Sequence, residues 1–190
     1  SIQVGGLATR LFHTGIKKAV VGISGGLDST LALLVMVKTF DKLGLPRENI
    51  VGITMPGFGT TGRTYNNSLN MMKSLGVTIK EVDIKPACLQ HLKDIDHDLS
   101  ILDVSYENTQ ARERTQILMD YANKIGGLVV GTGDLSELVL GWATYNGDHM
   151  SMYAVNTSIP KTLVRYMVKY AALYEMDEAA KETLLDVCDT

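Results

Sequence analysis

Six residues, SGGLDS at positions 24–29, combine groups that could bind a phosphorylated ligand. They lie between an apolar segment that predicts a strand, residues 18–23, and one that predicts a helix, residues 29–43. Gly25 and Gly26 allow the backbone to turn tightly and to approach a ligand without an intervening Cβ atom. The amino terminus of the following helix offers unpaired N–H groups and the positive end of a dipole, and the two serines add hydroxyl donors. This junction therefore predicts a site for an anionic group.

Asp28 is the one carboxylate in this stretch, and its negative charge opposes an anion unless a divalent cation lies between them. Mg²⁺ binds one or two carboxylates together with phosphate oxygens, so Asp28 fits a magnesium polyphosphate site. The simpler alternative is that Asp28 or Ser29 only caps the helix. The stretch is not a Walker P-loop, because GxxxxGK[ST] does not occur in the chain, and the stretch itself lacks the GxGxxG dinucleotide fingerprint.

The elements that must position these residues follow from the hydrophobic pattern. Strands are predicted at residues 18–23, 49–54, 77–84 and 128–130. Helices are predicted at residues 4–12, 29–43, 65–75, 106–125, 134–140 and 162–174, with a weak helix or loop at 86–98. This alternation predicts parallel βαβ units with right-handed connections, and hence one α/β domain built on a doubly wound parallel sheet.

Ligands of doubly wound sheets bind outside the carboxyl ends of the strands. The segments that leave three of the predicted strands are SGGLDS, MPGFGTT at 55–61 and GTGDLSE at 131–137. All three are rich in Gly, Ser and Thr, and we expect them to converge at one edge of the sheet. Their convergence is the main functional signal in the sequence.

Composition excludes several other classes of protein. The 190-residue chain has a net charge of −3, so it has no basic field for nucleic acid. No apolar run approaches the roughly 18–20 residues of a membrane span, and no signal-peptide pattern opens the chain. Cys88 and Cys188 lie outside any CxxC spacing, which predicts reduced thiols in a cytoplasmic protein. His91 and His97 lack the spacing of zinc ligands, and the surrounding residues predict an exposed loop.

SGGLDS resembles the pyrophosphate loop of the ATP-pyrophosphatase superfamily, whose members cleave ATP between the α and β phosphates. Further motifs narrow the resemblance: TMPGFGTT at 54–61, YENTQARER at 106–114, GTGDLSELVLGWATYNGD at 131–148 and VNTSIPKTLV at 155–164. Taken in this order, they resemble NAD synthetases over residues from about 6 to about 169. The sequence is most similar to the glutamine-dependent branch of that family.

The resemblance implies an adenine nucleotide alpha hydrolase-like fold and a ligase reaction in two steps. ATP would adenylate the nicotinate carboxylate of deamido-NAD and release pyrophosphate. Ammonia would then displace AMP and give NAD, with Mg²⁺ as cofactor and ATP as co-substrate. Positioning and charge stabilisation would supply most of the catalysis, which agrees with the lack of a Ser-His-Asp or Cys-His constellation in the sequence.

Matching the family's motifs to this chain implies the site residues. ATP would be bound by Gly22, Ile23, Ser24, Gly25, Gly26, Leu27, Asp28, Ser29, Met55, Thr132 and Lys161. Met55 would act through its backbone groups, towards adenine. Asp28 and Glu137 would hold Mg²⁺ and are the implied catalytic residues, although Glu137 could instead be a solvated helix residue.

Deamido-NAD would contact a second implied set: Asn108, Arg112, Glu137, Trp142, Ala143, Thr144 and Tyr145. Asn108 and Arg112 are four residues apart and share one face of the predicted helix. Two alternatives stay open for this set. Arg112 could belong to a surface charge cluster with Glu113 and Arg114, and Trp142 could be a core residue.

We expect residues 1–190 to be the synthetase domain of a longer chain that forms a homodimer or a higher homo-oligomer. In the glutamine-dependent branch, a preceding nitrilase-like glutaminase domain supplies the ammonia, and the chain continues beyond the equivalent of Thr190. One alternative is another pyrophosphate-loop enzyme, of the GMP-synthetase or tRNA-thiolating type. The other alternative is an inactive nucleotide-binding fragment, which would bind ATP without forming AMP.

Overall fold

A computed structural model describes residues 2–132, 152–155 and 161–189, apart from the side chains of residues 152, 154 and 161. The five strands are β1 (Ala19–Gly22), β2 (Ile50–Thr54), β3 (Thr78–Glu81), β4 (Leu128–Gly131) and β5 (Met152–Ala154). The helices are α1 (Ile2–Thr14), α2 (Leu27–Leu43), α3 (Gly62–Leu75), α4 (Lys85–Asp94), α5 (Val104–Ile125), α6 (Lys161–Tyr174) and α7 (Glu178–Cys188). A short 3₁₀ helix, Arg47–Asn49, precedes β2.

The strands form one parallel sheet in the order β3-β2-β1-β4-β5, so the predicted doubly wound α/β architecture is confirmed. The chain runs from β1 outward to β2 and β3 and then returns to place β4 on the other side of β1. Val20 consequently pairs with Val51 on one side and with Val129 on the other. The direction of winding reverses between β1 and β4, and a crevice forms at such a point, beyond the carboxyl ends of the strands.

Helices cover both faces of the sheet because successive strand residues point to opposite sides. Val21 and Ile23 face the larger core, which is formed with α1, α2, α3, α6 and α7. Val20 faces the second core, where it packs with Cys88 of α4 and Leu118 of α5. Cys88 and Cys188 are both buried, and neither forms a disulfide bond in this structure.

Local signals account for most of the element boundaries. Gly44 ends α2 in the left-handed conformation, with φ of 70°, as the predicted stop requires. The Asp103 side chain accepts the Tyr106 N–H, so α5 begins two residues before the predicted start. β3 is shorter than predicted because its ladder with β2 ends where Thr54 pairs with Glu81.

Further elements of the described ranges are α4, β5, α6 and α7. The segment at 86–98 contains a helix, α4, with Pro86 in its first turn, where a missing N–H costs little. β5 and α7 were not predicted, and the helix predicted at 134–140 lies outside the described residues. Within the described ranges, every helix is too short or too polar to cross a bilayer.

Candidate functional site

A cavity of about 700 Å³ opens at the carboxyl ends of β1, β2 and β4. Its walls come from the loop after β1, from the segment between β2 and α3, and from the first half of α5, with Thr132 at the end of β4. This is the position at which the direction of winding reverses, and the volume lies in the range of small-molecule sites. Two of the three Gly/Ser/Thr-rich segments predicted to converge meet here, and the third contributes Thr132.

The loop after β1 is packed tightly against the start of α3. Gly25 has φ of 84°, and a Cβ atom on it would lie 2.9 Å from the carbonyl carbon of Thr64. Ser68 of α3 donates hydrogen bonds to the carbonyl oxygens of Ile23 at 3.4 Å and Thr64 at 2.9 Å. The loop is therefore held in one position by neighbouring backbone, and only glycine fits at position 25.

Hydroxyl groups hold the same loop closed on itself. The Ser24 N–H donates to Ser29 Oγ at 3.2 Å, and the two serine hydroxyls are also 3.2 Å apart. The Gly26 N–H donates to Ser24 Oγ at 3.2 Å, and Thr30 Oγ1 donates to the Gly26 carbonyl oxygen at 2.7 Å. Ser24 and Ser29 both line the cavity, so the loop presents hydroxyl groups in a fixed arrangement.

The amino terminus of α2 is not capped by either of the two residues considered for that role. Gly26 is the N-cap residue, and no side chain in the described ranges caps this helix. Asp28 lies in the first turn, is half-buried and lines the cavity. The capping alternative for Asp28 and Ser29 is therefore wrong, and the helix dipole points its positive end at the cavity.

A metal ion at this end of the cavity would be coordinated mainly by oxygen atoms of a bound ligand and of water. No cluster of three or more His, Cys, Asp or Glu residues suited to a metal occurs within residues 2–132, 152–155 and 161–189. One carboxylate, Asp28, beside a loop suited to phosphate fits Mg²⁺, which is usually bound by few carboxylates and several phosphate or water oxygens. Glu137, the other predicted ligand, lies outside the described residues.

The opposite wall is built where α5 meets the segment after β2. Arg114 Nε donates to the Met55 carbonyl oxygen at 3.1 Å, and the Phe58 N–H donates to Gln110 Oε1 at 3.1 Å. The rings of Phe58 and Tyr106 are 5.5 Å apart with an angle of 32° between their planes. Arg114 is thus not part of a surface charge cluster, contrary to the alternative considered above.

Burial lowers the pKa of the Arg114 guanidinium, and the nearby Cys88 and Glu107 act in the opposite direction. The group nevertheless stays protonated, because a guanidinium is not deprotonated in proteins. Arg114 is half-buried and forms no ion pair with any residue of the described ranges. The cavity therefore contains a partly desolvated positive charge at this wall.

The structure brings together most of the residues predicted to bind ATP. Those that line the cavity are Gly22, Ile23, Ser24, Asp28, Ser29, Met55 and Thr132. Gly25, Gly26 and Leu27 complete the loop and the start of α2 without lining the cavity. Lys161 begins α6, but its side chain lies outside the described part of the chain.

Two of the residues predicted to bind deamido-NAD lie in the described part of the chain, and neither is in the wall of this cavity. Asn108 is half-buried and Arg112 is exposed, and neither lines the cavity. They project from a different side of α5 than Tyr106, Gln110 and Arg114, because each residue of a helix rotates by about 100°. Their role stays a prediction. The remaining members of the set, Glu137, Trp142, Ala143, Thr144 and Tyr145, lie outside the described residues.

The lining residues that were not among the predicted site residues include Phe58, Tyr106, Gln110 and Arg114. A sequence signal was present for the three of these that lie on α5. Tyr106, Gln110 and Arg114 recur every four residues and so share one face of α5. The apolar pattern of the sequence identifies the buried face of α5. It does not identify which polar face of the helix contacts the segment after β2.

A scan against protein-family models matches residues 3–176 to the family described as NAD synthase. The chain belongs to the NAD synthase family. A glutamine-dependent NAD(+) synthetase of Mycobacterium leprae is 45% identical over 196 aligned residues, which cover 100% of this chain and 29% of that protein. An NH(3)-dependent NAD(+) synthetase of Pyrobaculum aerophilum is 39% identical over 136 residues, covering 72% of this chain and 49% of that one.

Solved structures of NAD synthase family members share this fold. The glutamine-dependent NAD+ synthetase of Acinetobacter baumannii, solved in complex with ADP, superposes with a TM-score of 0.79 at 28% identity, covering 96% of this chain and 34% of that one. The NH3-dependent enzyme of Campylobacter jejuni gives 0.72 at 25% identity, covering 95% and 73%. The predicted ATP-pyrophosphatase type of α/β fold is confirmed, and the other pyrophosphate-loop families are not favoured.

Proposed function

We propose that this chain is the synthetase part of a longer NAD synthetase, and that it amidates deamido-NAD to NAD at the expense of ATP. The chain spans 29% of the Mycobacterium leprae relative, which supports a larger parent protein. The observation that carries the proposal is the loop of residues 24–29. It opens into the cavity where the winding reverses, in a member of the NAD synthase family.

The loop and the amino terminus of α2 are suited to bind the triphosphate of ATP. Ser24 and Ser29 face the cavity, and the positive end of the α2 dipole favours an anion beside them. We propose that Asp28 and Glu137 hold Mg²⁺ against the phosphates; the ion, when bound, neutralises charge on the departing pyrophosphate. Thr132 and Lys161 would contact the same nucleotide from the ends of β4 and α6.

The first step forms one bond and breaks another at the α phosphorus. A nicotinate carboxylate oxygen bonds to that phosphorus, and the bond to the oxygen that bridges the α and β phosphates breaks, which releases pyrophosphate. Ammonia then attacks the acyl carbon, and AMP leaves with the electron pair of the carbon–oxygen bond. These steps need aligned reactants in a site shielded from water more than they need a side-chain nucleophile.

Two further proposals concern the context of the enzyme. The buried, unpaired thiols of Cys88 and Cys188 support a reducing, cytoplasmic location. An apolar surface on α6, where Leu163 is 45% exposed and Tyr166 is 65% exposed, supports assembly into a homodimer or higher oligomer, or contact with a glutaminase domain. Sedimentation of the purified chain would separate a monomer from these assemblies.

The decisive experiment supplies deamido-NAD, ATP, Mg²⁺ and ammonium to the purified chain and quantifies NAD, AMP and pyrophosphate by chromatography. We expect the three products in equal amounts, and none when glutamine replaces ammonium. Calorimetry with ATP runs in parallel. ATP binding without AMP formation would contradict the proposed reaction and would favour a nucleotide-binding fragment.

A further inference from the structure

Helix α5 is fastened to the segment of residues 55–60, here called the β2 segment, by three of its side chains. The Tyr106 ring packs at a tilt against the Phe58 ring, Gln110 accepts the Phe58 N–H, and Arg114 donates to the Met55 carbonyl oxygen. The three positions are four residues apart, so they form a single row along the helix. The row meets the β2 segment from Met55 to Phe58.

Gly57 lies directly beneath this row. A Cβ atom on Gly57 would be 2.5 Å from Gln110 Oε1 and 2.7 Å from Arg114 Nη2. Both side chains therefore cross the glycine in contact with its backbone. The Gly57 N–H donates to Thr60 Oγ1 at 2.9 Å, which closes the turn on the other side. The β2 segment is thus held from two directions.

The Nη groups of Arg114 donate no hydrogen bond to any residue of the described ranges. Its Nε is engaged by Met55, and no other hydrogen bond or ion pair to Arg114 exists within the described ranges. Acceptors at the Nη groups stabilise a partly buried guanidinium, and a bound ligand could supply one. The open space beside them is the cavity that Arg114 lines.

The two ends of the cavity differ in chemistry. The end at residues 24–29 offers hydroxyl groups and a helix amino terminus, which suit phosphates. The end at the β2 segment offers an aromatic pair, a planar guanidinium and the Met55 carbonyl group. Flat aromatic rings stack on such groups, and ring nitrogens accept hydrogen bonds from arginine. A purine base matches this end.

We propose that Gln110 and Arg114 are positioning residues for the base of ATP: they hold the β2 segment in place as its platform, and Arg114 donates from Nη to the base. This rests on the proposed nucleotide-dependent function. It assigns to α5 a role in selecting the nucleotide that is separate from phosphate binding by the loop.

The test compares Gln110→Leu and Arg114→Lys with two matched controls, Gln116→Leu and Arg165→Lys, whose side chains are exposed and do not line the cavity. Lysine has a single ammonium group, which cannot bond both to Met55 and to a ligand in the way a guanidinium does. In the purified chain, the KM for ATP and the ratio of kcat/KM for ATP to that for GTP are measured. Inorganic tripolyphosphate, which lacks a base, is used as a competitive inhibitor, and calorimetry measures binding of adenosine and of tripolyphosphate.

We expect a rise of about tenfold in the KM for ATP and a smaller ATP-to-GTP ratio in both variants, with kcat within about threefold of wild type. Tripolyphosphate inhibition and the two controls should be unchanged. Equal weakening of tripolyphosphate and adenosine binding, or adenosine binding as tight as in wild type, would overturn the proposal. Binding of adenosine and of tripolyphosphate needs no turnover. These two measurements therefore test the role of Gln110 and Arg114 even if the wild-type chain forms no NAD. If Arg114→Lys fails to fold, Gln110→Leu carries the same comparison.

Discussion

Gly25 contacts Thr64 so closely that its missing side chain is a structural requirement of the loop. An added Cβ would lie 2.9 Å from the Thr64 carbonyl carbon and 3.0 Å from its Cα, both parts of the backbone at the start of α3. Backbone cannot move aside as the end of a flexible side chain can. The shape of the loop of residues 24–29 is therefore set by α3 as well as by its own hydrogen bonds.

Replacement of Gly25 by alanine is expected to abolish measurable ATP binding and to lower the free energy of unfolding by more than about 2 kcal/mol. The positive φ alone costs about 1–2 kcal/mol, and displacement of the loop from Thr64 adds to that. Gly44→Ala is the matched control, because Gly44 has φ of 70° and open space around its Cα. It should cost about 1 kcal/mol and leave ATP binding intact. Calorimetry and urea unfolding measure both effects, and normal ATP affinity in Gly25→Ala would refute the packing argument.

Replacement of Asp28 by asparagine should weaken binding of ATP in the presence of Mg²⁺ by at least about tenfold, because the amide lacks the charge that attracts the ion. Binding of adenosine should stay the same, since Asp28 lies at the phosphate end of the cavity. Glu182→Gln, at an exposed position of α7 away from the cavity, is the control for loss of one negative charge. Isothermal titration with and without Mg²⁺ gives the comparison. An equal loss of affinity in the absence of Mg²⁺ would argue against a metal-binding role.

The Asp186 carboxylate should make the free energy of unfolding decrease as the pH falls below about 4. Hydrogen bonds from Arg63 and Asn67, with Arg63 the larger cause, lower its pKa from 3.8 to about 2 and connect α7 to α3. Because the pKa is lower in the folded state, the carboxylate stabilises the fold fully above its unfolded-state pKa, near pH 4. This stabilisation is lost as the pH falls towards 2. The difference in urea midpoint between wild type and Asp186→Asn should therefore be largest near pH 6 and shrink below pH 4. A difference that does not change with pH would exclude this linkage.

Several elements were predictable because their signals are local. The strands β1, β2 and β4 were found as apolar runs, and α2 was found between its glycine-rich start and the stop at Gly44. β5 was missed because three residues carry too little periodicity to be distinguished from a loop. α7 was missed although Asp177 caps it, since a short helix at that position owes its stability to packing on α3 and α6.

The candidate site shows the same division between local and long-range signals. Met55, Thr132 and the loop of residues 24–29 were predicted from motifs, and one cavity is lined by Met55, Thr132 and three loop residues, Ser24, Asp28 and Ser29. Arg114 was considered only as a member of a surface charge cluster, because Arg112 and Glu113 are its neighbours in the sequence. The Met55 carbonyl oxygen that it binds is 59 residues away along the chain, and no local pattern encodes that contact.

The sequence by itself determined the parallel α/β architecture, the phosphate-type loop and the family resemblance, because glycine positions, strand periodicity and motif order are properties of neighbouring residues. Only the tertiary structure decided which face of α5 meets the β2 segment, and why Gly25 must lack a side chain. Both depend on the distances at which separate elements pack, and packing distance is set by the whole core. The groups that the loop of residues 24–29 offers to a ligand follow from its own sequence. The opposite wall of the cavity forms only when α5 packs on the sheet and contacts the β2 segment.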